Sequence, residues 1–154
     1  MQLVVFKLLD KEYALNVKDV IQVVRNRKII SIPQAPDFVE GVIAWHGKVI
    51  PLISLRKKLG FSGSLPVDSS RFIILKVNNH NLGIIVDSVT EVINFDNTKI
   101  SSPDEFFKEA EYLIGVIKIG SRIVLFMDVE KLFSHVEVQE IGVVHSCVQV
   151  RSKE

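Results

Sequence analysis

The sequence predicts an all-β protein with short helices, built from two copies of one β-rich module that share a hydrophobic core. Short runs of β-branched and aliphatic residues bounded by turn residues indicate strands, and the second half of the chain repeats the first without a gap. The chain has 154 residues, which is enough for two small units packed as one domain. Its hydrophobic content is 47%, yet no apolar run approaches the roughly 20 residues of a membrane span. We therefore expect no direct membrane insertion and infer that excess aliphatic surface contacts other proteins.

The clearest single element is a hairpin in the first half. Two β-branched pairs, at residues 42–43 and 49–50, lie on either side of a turn at residues 44–47. Gly47 permits the positive φ of a tight turn, and Gly41 opens the first strand where a side chain could obstruct a neighbouring backbone. The pattern predicts a strand, a turn and a second strand.

The hairpin occurs twice. A shift of 74 positions places Gly41 on Gly115 and carries residues 41–59 onto 115–133 without a gap, including the basic helical turn that closes each copy. Residues 17–23 match residues 86–92 at a slightly smaller shift. The simplest interpretation is two modules of roughly 70 residues each.

Strands are predicted in the same order in both halves, with turn residues between them. The expected strands are 3–8, 12–17, 20–24, 29–32, 42–43 and 49–50, then 71–77, 81–86, 89–93 and a hairpin over 115–127. Short helices are expected at 56–59 and 129–133, and a further one begins at Pro103, where an acidic first turn favours a helix start.

The Ser/Gly/Pro-containing stretch 62–70 marks the expected boundary between the modules. We predict a single domain over 1–154 with subdomain 1 at about 13–66 and subdomain 2 at about 67–135, and the opening strand 3–9 is a candidate to pair with the second barrel. The tail 136–154 alternates only loosely. It is compatible with an extra strand, a segment ordered by a partner, or disorder.

Composition excludes several functions. The formal charge of +1 creates no field for nucleic acid or anionic lipid, and the basic run 25–28 has no interleaved aromatic residues. The chain starts in a strand-like run without a basic n-region, which argues against a signal peptide. The lone Cys147 cannot form an intramolecular disulfide and fits a reducing compartment. We therefore expect a cytoplasmic protein that does not bind nucleic acid.

No catalytic or cofactor motif stands out. The four histidines are widely separated and lack metal-ligand spacing, so no metal site and no cofactor are expected. Phosphate-binding loops and nucleophile elbows are missing. Trp45-His46 and Ser54 with Asp19 or Asp87 could in principle assemble a hydrolytic site, but an exposed turn and ordinary polar strand ends explain them better. We do not expect an enzyme.

Five stretches of the sequence form a specific set of motifs. They are Tyr13-Ala14-Leu15, Ile32-Pro33-x-Ala35-Pro36-x-Phe38-Val39-x-Gly41, Gly47-Lys48-Val49-Ile50-Pro51-Leu52, Gly83-Ile84-Ile85-Val86-Asp87 and Met127-Asp128-Val129-x-Lys131-Leu132. Together these motifs resemble the CheW family of chemotaxis proteins, to which the chain is similar over residues 3–133.

The resemblance implies two SH3-like five-stranded β-barrels packed around a shared core. It implies a non-catalytic adaptor that couples the cytoplasmic tip of a methyl-accepting chemoreceptor to the regulatory domain of the histidine kinase CheA, at receptor arrays on the inner face of the membrane. The receptor-binding groove would use Val20, Gln22, His46, Val89 and Val92. Phe106 would contact the kinase, and Gly41, Gly47, Gly83 and Gly115 would be structural turn glycines.

The chain departs from the family pattern at five residues, three of them at one hairpin tip. The hairpin tip of the family usually reads Asn-Leu-Arg-Gly, whereas here it is Ala44-Trp45-His46-Gly47, and the usual acids are replaced by Gln22 and Ser54. If the hairpin arginine of the family forms an ion pair with the acid that Gln22 replaces, losing both charges preserves charge balance but weakens the contact between these two positions. The alternative is therefore a diverged member that binds one partner or serves another chemosensory pathway, such as one for type IV pili.

Overall fold

The computed structural model describes residues 1–61, 68–102 and 111–133. Within these ranges the fold is built almost entirely of β-strands, joined by tight turns and two single-turn helices. The strands are β1 (Gln2–Leu8), β2 (Lys11–Asn16), β3 (Val20–Arg25), β4 (Val39–Trp45), β5 (Lys48–Ser54), β6 (Arg71–Val77), β7 (His80–Val86), β8 (Ser88–Asn94), β9 (Leu113–Ile119) and β10 (Arg122–Met127). The helices are α1 (Leu55–Lys58) and α2 (Val129–Leu132), and 3-10 turns lie at Val17–Asp19 and Asn97–Lys99.

Both predicted hairpins and their closing helical turns are confirmed, because β4–β5–α1 and β9–β10–α2 lie 74 positions apart. The strand predicted at residues 29–32 is wrong. Only Ile30 pairs there, in an isolated bridge to Val42, because the chain turns into the Pro33 connector immediately afterwards. The helix predicted from Pro103 and the tail 136–154 lie outside the described residues.

The strands form two five-stranded sheets, and each sheet draws on both sequence repeats. The first barrel has the order β3-β6-β7-β5-β4, and the second barrel has the order β8-β1-β2-β10-β9. If every strand is replaced by its equivalent in the other repeat, β1 by β6, β2 by β7 and so on, one order becomes the other. Each barrel therefore contains three strands from one repeat and two from the other, and parallel pairs join the repeats, β5 to β7 and β2 to β10.

This topology corrects the division of the chain at residues 66 and 67. Strands β6 and β7 follow that boundary in sequence but belong to the first barrel, while β1 and β2 belong to the second, where β1 pairs with β8. An internal repeat identifies equivalent segments but does not say which copies pair. Each repeat contributes its first two strands, β1–β2 or β6–β7, to the barrel formed mainly by the other repeat. Each barrel therefore buries residues from both halves of the chain.

Two equivalent bridges close the barrels. The chain leaving edge strand β3 pairs through Ile30 with Val42 on β4, and the chain leaving β8 pairs through Ser101 with Val116 on β9. A β-carbon on Gly41 would lie 2.2 Å from the Ile30 carbonyl oxygen, and one on Gly115 would lie 2.8 Å from the Ser101 carbonyl oxygen. The close backbone approach predicted at Gly41 is therefore present, and the second barrel repeats it.

The predicted glycines differ in role. Gly47 has φ +73 and follows His46, with φ +49, in the turn between β4 and β5, as expected of a two-residue hairpin loop. Gly41, Gly83 and Gly115 lie inside strands, so their description as turn glycines is wrong. A β-carbon on Gly83 would lie 3.0 Å from a Leu52 methyl group, so this glycine makes room for core packing between neighbouring strands.

Three hydrophobic clusters fill the described structure. One lies inside the first barrel around Trp45 and Phe72, and another lies inside the second barrel around Leu3 and Phe126. The largest cluster combines both barrels with the two helices, and its members include residues of β1, β2, β5, β6, β7 and β10. This shared cluster confirms the common core predicted from the repeat.

A partly buried ion pair also ties the two barrels together. The Arg56 guanidinium on α1 donates to both carboxylate oxygens of Asp87, at 2.9 Å from Nε to Oδ1. Asp87 lies between β7 of the first barrel and β8 of the second, and its Oδ2 also accepts a hydrogen bond of 2.8 Å from the Leu9 backbone N–H. The Asp87 hydrogen bond raises the pKa of Arg56. One carboxylate thus fixes three segments at the junction of the barrels.

Candidate functional site

The candidate surface consists of the two edge strands β3 and β8, which occupy equivalent ends of the two sheets. Val20 on β3 and Val89 on β8 are half-buried and both pack against the shared cluster. The two edges therefore flank the junction between the barrels. An exposed sheet edge offers unpaired backbone groups and side chains to a partner. We call the exposed part of β3 and β8 the edge surface.

A β-bulge gives β3 an apolar exposed face. The pairing register of β3 with β6 shifts between Val20 and Gln22, so Ile21, Gln22 and Val23 are all exposed in succession. Exposed aliphatic side chains grouped in this way are typical of protein contacts. Sequence alone did not identify Ile21 and Val23 as part of this surface, because strict alternation of side chains would have buried one face of β3. On β8, Val92 is 60% exposed.

Gln22 and His46, which the sequence places 24 positions apart, are in contact. The Gln22 Oε1 atom lies 2.9 Å from the Trp45 indole nitrogen and 3.0 Å from the His46 Nε2 atom. The indole N–H can only donate, which fixes the Gln22 oxygen as acceptor, so His46 must donate from Nε2 as well. The rings of Trp45 and His46 meet edge to face, with centroids 4.7 Å apart. A hydrogen-bonded cluster occupies the place where the family pattern expects an arginine and an acid.

Two of the departures from the family pattern, Trp45 and Ser54, have a local explanation in the structure. Trp45 is buried inside the first barrel, at 8% exposure, so its expected place on an exposed turn is wrong. Its indole fills the barrel end while its N–H reaches out to Gln22. Ser54 accepts a hydrogen bond from the Lys57 backbone N–H and so caps α1, a role in which serine and aspartate are about equally effective.

An ion-pair network holds the second edge strand. The Arg122 guanidinium donates to Glu12 at 2.7 Å and to Glu91 at 2.6 Å, joining β10, β2 and β8. The hydrogen bond from Arg122 lowers the pKa of Glu12. Because side chains alternate along a strand, tethering Glu91 also fixes the direction in which Val92 projects.

The acidic groups near the start of β3 form a separate feature. Burial raises the pKa of the Asp19 carboxyl, and repulsion from Asp128 and Glu130 acts in the same direction. All three residues line an open cavity of about 480 Å³, together with the apolar side chains of Met1 and Ile114. Within the described ranges, no group of three potential ligands could hold a metal ion.

The structure does not assemble the hydrolytic alternative. The Ser54 hydroxyl caps α1, Asp87 pairs with Arg56, and the His46 ring bonds to Gln22. The predicted kinase contact, Phe106, lies outside the described residues. In the part of the chain that the structure describes, no helix is long and apolar enough to cross a membrane.

Two interlocked SH3-like barrels with an apolar edge surface define a protein-binding adaptor. A family model described as the CheW-like domain matches residues 2–137. The chain belongs to this CheW-like family, whose members act in chemotaxis as non-catalytic adaptors.

CheW proteins from several bacteria are similar to this chain over most of its length. The chain is 32% identical over 147 residues to the chemotaxis protein CheW of Treponema pallidum, which covers 92% of this chain and 86% of that protein. It is 30% identical over 139 residues to CheW of Klebsiella aerogenes, covering 89% of this chain and 84% of that protein. The crystal structure of the scaffolding protein TtCheW from Thermoanaerobacter tengcongensis superposes with a TM-score of 0.81 at 33% identity, over 88% of this chain and 94% of that one.

Proposed function

We propose that this chain couples the cytoplasmic tip of a methyl-accepting chemoreceptor to the regulatory domain of the histidine kinase CheA, in the cytoplasm at receptor arrays. The observation that carries the proposal is the pair of equivalent, apolar edge strands that flank the barrel junction in a member of the CheW-like family. The receptor tip binds between β3 and β8, against Val20, Gln22, His46, Val89 and Val92.

The chemistry of the edge surface supports this assignment. Ile21 and Val92 are 46% and 60% exposed, so a partner can remove substantial apolar area from water at the centre of the contact. Gln22 retains two amide N–H donors after its oxygen has accepted from Trp45 and His46. A helical receptor tip offers aliphatic side chains for the valines and polar ones for the amide.

Receptor binding is tested by titrating a fluorescently labelled receptor-tip fragment with the unmodified protein and with the Val92→Asp variant. We expect at least about a tenfold loss of affinity, because a charge would be desolvated within an apolar contact. Ile123→Asp is the matched control, since Ile123 is 58% exposed on β10 of the same barrel. Circular dichroism verifies that both variants fold. Equal effects of the two substitutions on receptor binding would refute the edge surface.

Kinase binding is tested separately with Phe106→Ala. An aromatic anchor at an interface typically contributes about 2 kcal/mol or more, so binding of the CheA regulatory domain should weaken by at least about thirtyfold while stability stays nearly constant. Calorimetric titration measures the first quantity and thermal unfolding the second. Lower stability with intact kinase binding would instead make Phe106 a core residue.

The same titrations distinguish a diverged adaptor that binds one partner. This second candidate is favoured by one observation, the neutral contact between Gln22 and His46 in place of an ion pair. Binding of the CheA regulatory domain without measurable binding of any receptor tip would establish it.

A further inference from the structure

Four cations gather at one end of the first barrel. Arg25 ends β3, Arg27 and Lys28 follow in the next loop, and Arg71 begins β6. Arg25 and Arg71 are direct partners across the β3–β6 pair, so their side chains share one face. We call these four residues the basic end.

Two of the four cations are held in place by backbone groups. The Arg27 guanidinium donates to the Ala44 carbonyl oxygen at 3.0 Å. The Arg71 Nη1 atom lies 2.9 Å from the Ser70 carbonyl oxygen and 3.2 Å from each of the Asp68 and Ser69 carbonyl oxygens. These contacts order the positive charges without neutralising them.

No carboxylate among the described residues forms an ion pair with a cation of the basic end. Among the described residues Arg56, Lys57 and Arg122 all form ion pairs with carboxylates, whereas none of the four cations of the basic end does. Like charges placed directly opposite each other on a sheet are destabilising. A formal charge of +1 for the whole chain means that this concentration is local. An anionic group from outside the chain would relieve the repulsion.

We propose that the basic end, which meets the edge surface only at Arg25, binds an acidic segment of a partner protein. The adjoining Ile30 is 56% exposed, and an aliphatic side chain beside cations suits a peptide with acidic and apolar residues better than a phosphate backbone. Single-stranded nucleic acid would need exposed rings for stacking, and none of the exposed large hydrophobic residues in the described ranges is aromatic. The inference therefore extends beyond the coupling of receptor and kinase.

The test uses the full chain and a fluorescein-labelled oligoglutamate peptide, followed by polarisation at about 50 mM and about 300 mM salt. The neutralised variant is Arg25→Gln/Arg27→Gln/Lys28→Gln. Its control, Lys76→Gln/Lys99→Gln/Lys118→Gln, removes the same charge from exposed positions elsewhere. Arg71 is retained because it braces the turn before β6. Thermal unfolding verifies that both variants fold.

We expect salt-sensitive binding by the unmodified protein, about a tenfold loss in the neutralised variant and little change in the control. Equal losses in both variants would overturn the proposal, since net charge alone would then explain binding. Tighter binding of a short DNA duplex than of the peptide, lost in the same variant, would also overturn it in favour of nucleic acid. Neither receptor nor kinase is present, so these outcomes are independent of the coupling function.

Discussion

Replacing Gly41 with alanine should open the first barrel at its closing bridge. The new β-carbon would lie 2.2 Å from the Ile30 carbonyl oxygen, and φ is +151, where side chains are strained. The strain costs about 1–3 kcal/mol. Displacing Ile30 also breaks two backbone hydrogen bonds with Val42, of 2.9 and 2.8 Å, at about 1 kcal/mol each. We expect a total loss of about 3–5 kcal/mol in the free energy of unfolding.

Urea unfolding followed by circular dichroism measures this loss, and two glycines serve as controls. Gly60 has φ +82 with no atom near its would-be β-carbon, so Gly60→Ala should cost only about 1–2 kcal/mol of conformational strain. Gly115→Ala makes the equivalent clash in the second barrel without a positive φ, and its cost should lie between the other two. If Gly41→Ala costs no more than Gly60→Ala, the close approach does not close the barrel.

Four further predictions concern cooperativity, charge and binding. Cleaving the chain within 62–67 should give fragments that show no cooperative unfolding, because each would hold incomplete sets of strands from both barrels; two sharp transitions in the intact protein would contradict a shared core. Asp19→Asn should stabilise the protein at neutral pH, and the gain should disappear as pH falls below about 3.9, since a raised folded pKa makes ionisation costly only above that range. Burial raises the pKa of Tyr13 to about 12, so its tyrosinate absorbance should appear only near that pH, and the stability from its neutral form should be lost as pH rises from about 10. His46→Arg should strengthen receptor-tip binding by about 1 kcal/mol with little change in stability, and weaker binding would mean that the surface is adapted to Trp45 and His46.

Sequence alone predicted the local elements well. Alternation, turn residues and the repeat located both hairpins and their helical turns, because these features depend on contacts between residues close in sequence. Gly41 illustrates the limit. Its type suggested a close backbone approach, but only the folded chain identifies Ile30 as the neighbour.

The candidate site was less accessible to sequence. Gln22 and His46 were identified as departures from a family pattern, yet their direct contact depends on how β3 reaches the end of β4. The unbroken run of exposed residues from Ile21 to Val23 accompanies a bulge that leaves no clear signature in residue type.

The sequence by itself determined that the chain is a repeated, strand-rich adaptor with one shared core. Tertiary structure decided which repeat supplies each strand. Equivalent strands carry nearly the same apolar pattern, so β1 and β6 could satisfy local pairing in either barrel. The exchanged arrangement follows from the parallel pairs β5–β7 and β2–β10 and from burial of the shared cluster. These are long-range contacts, whose energy depends on the whole fold and not on any one segment.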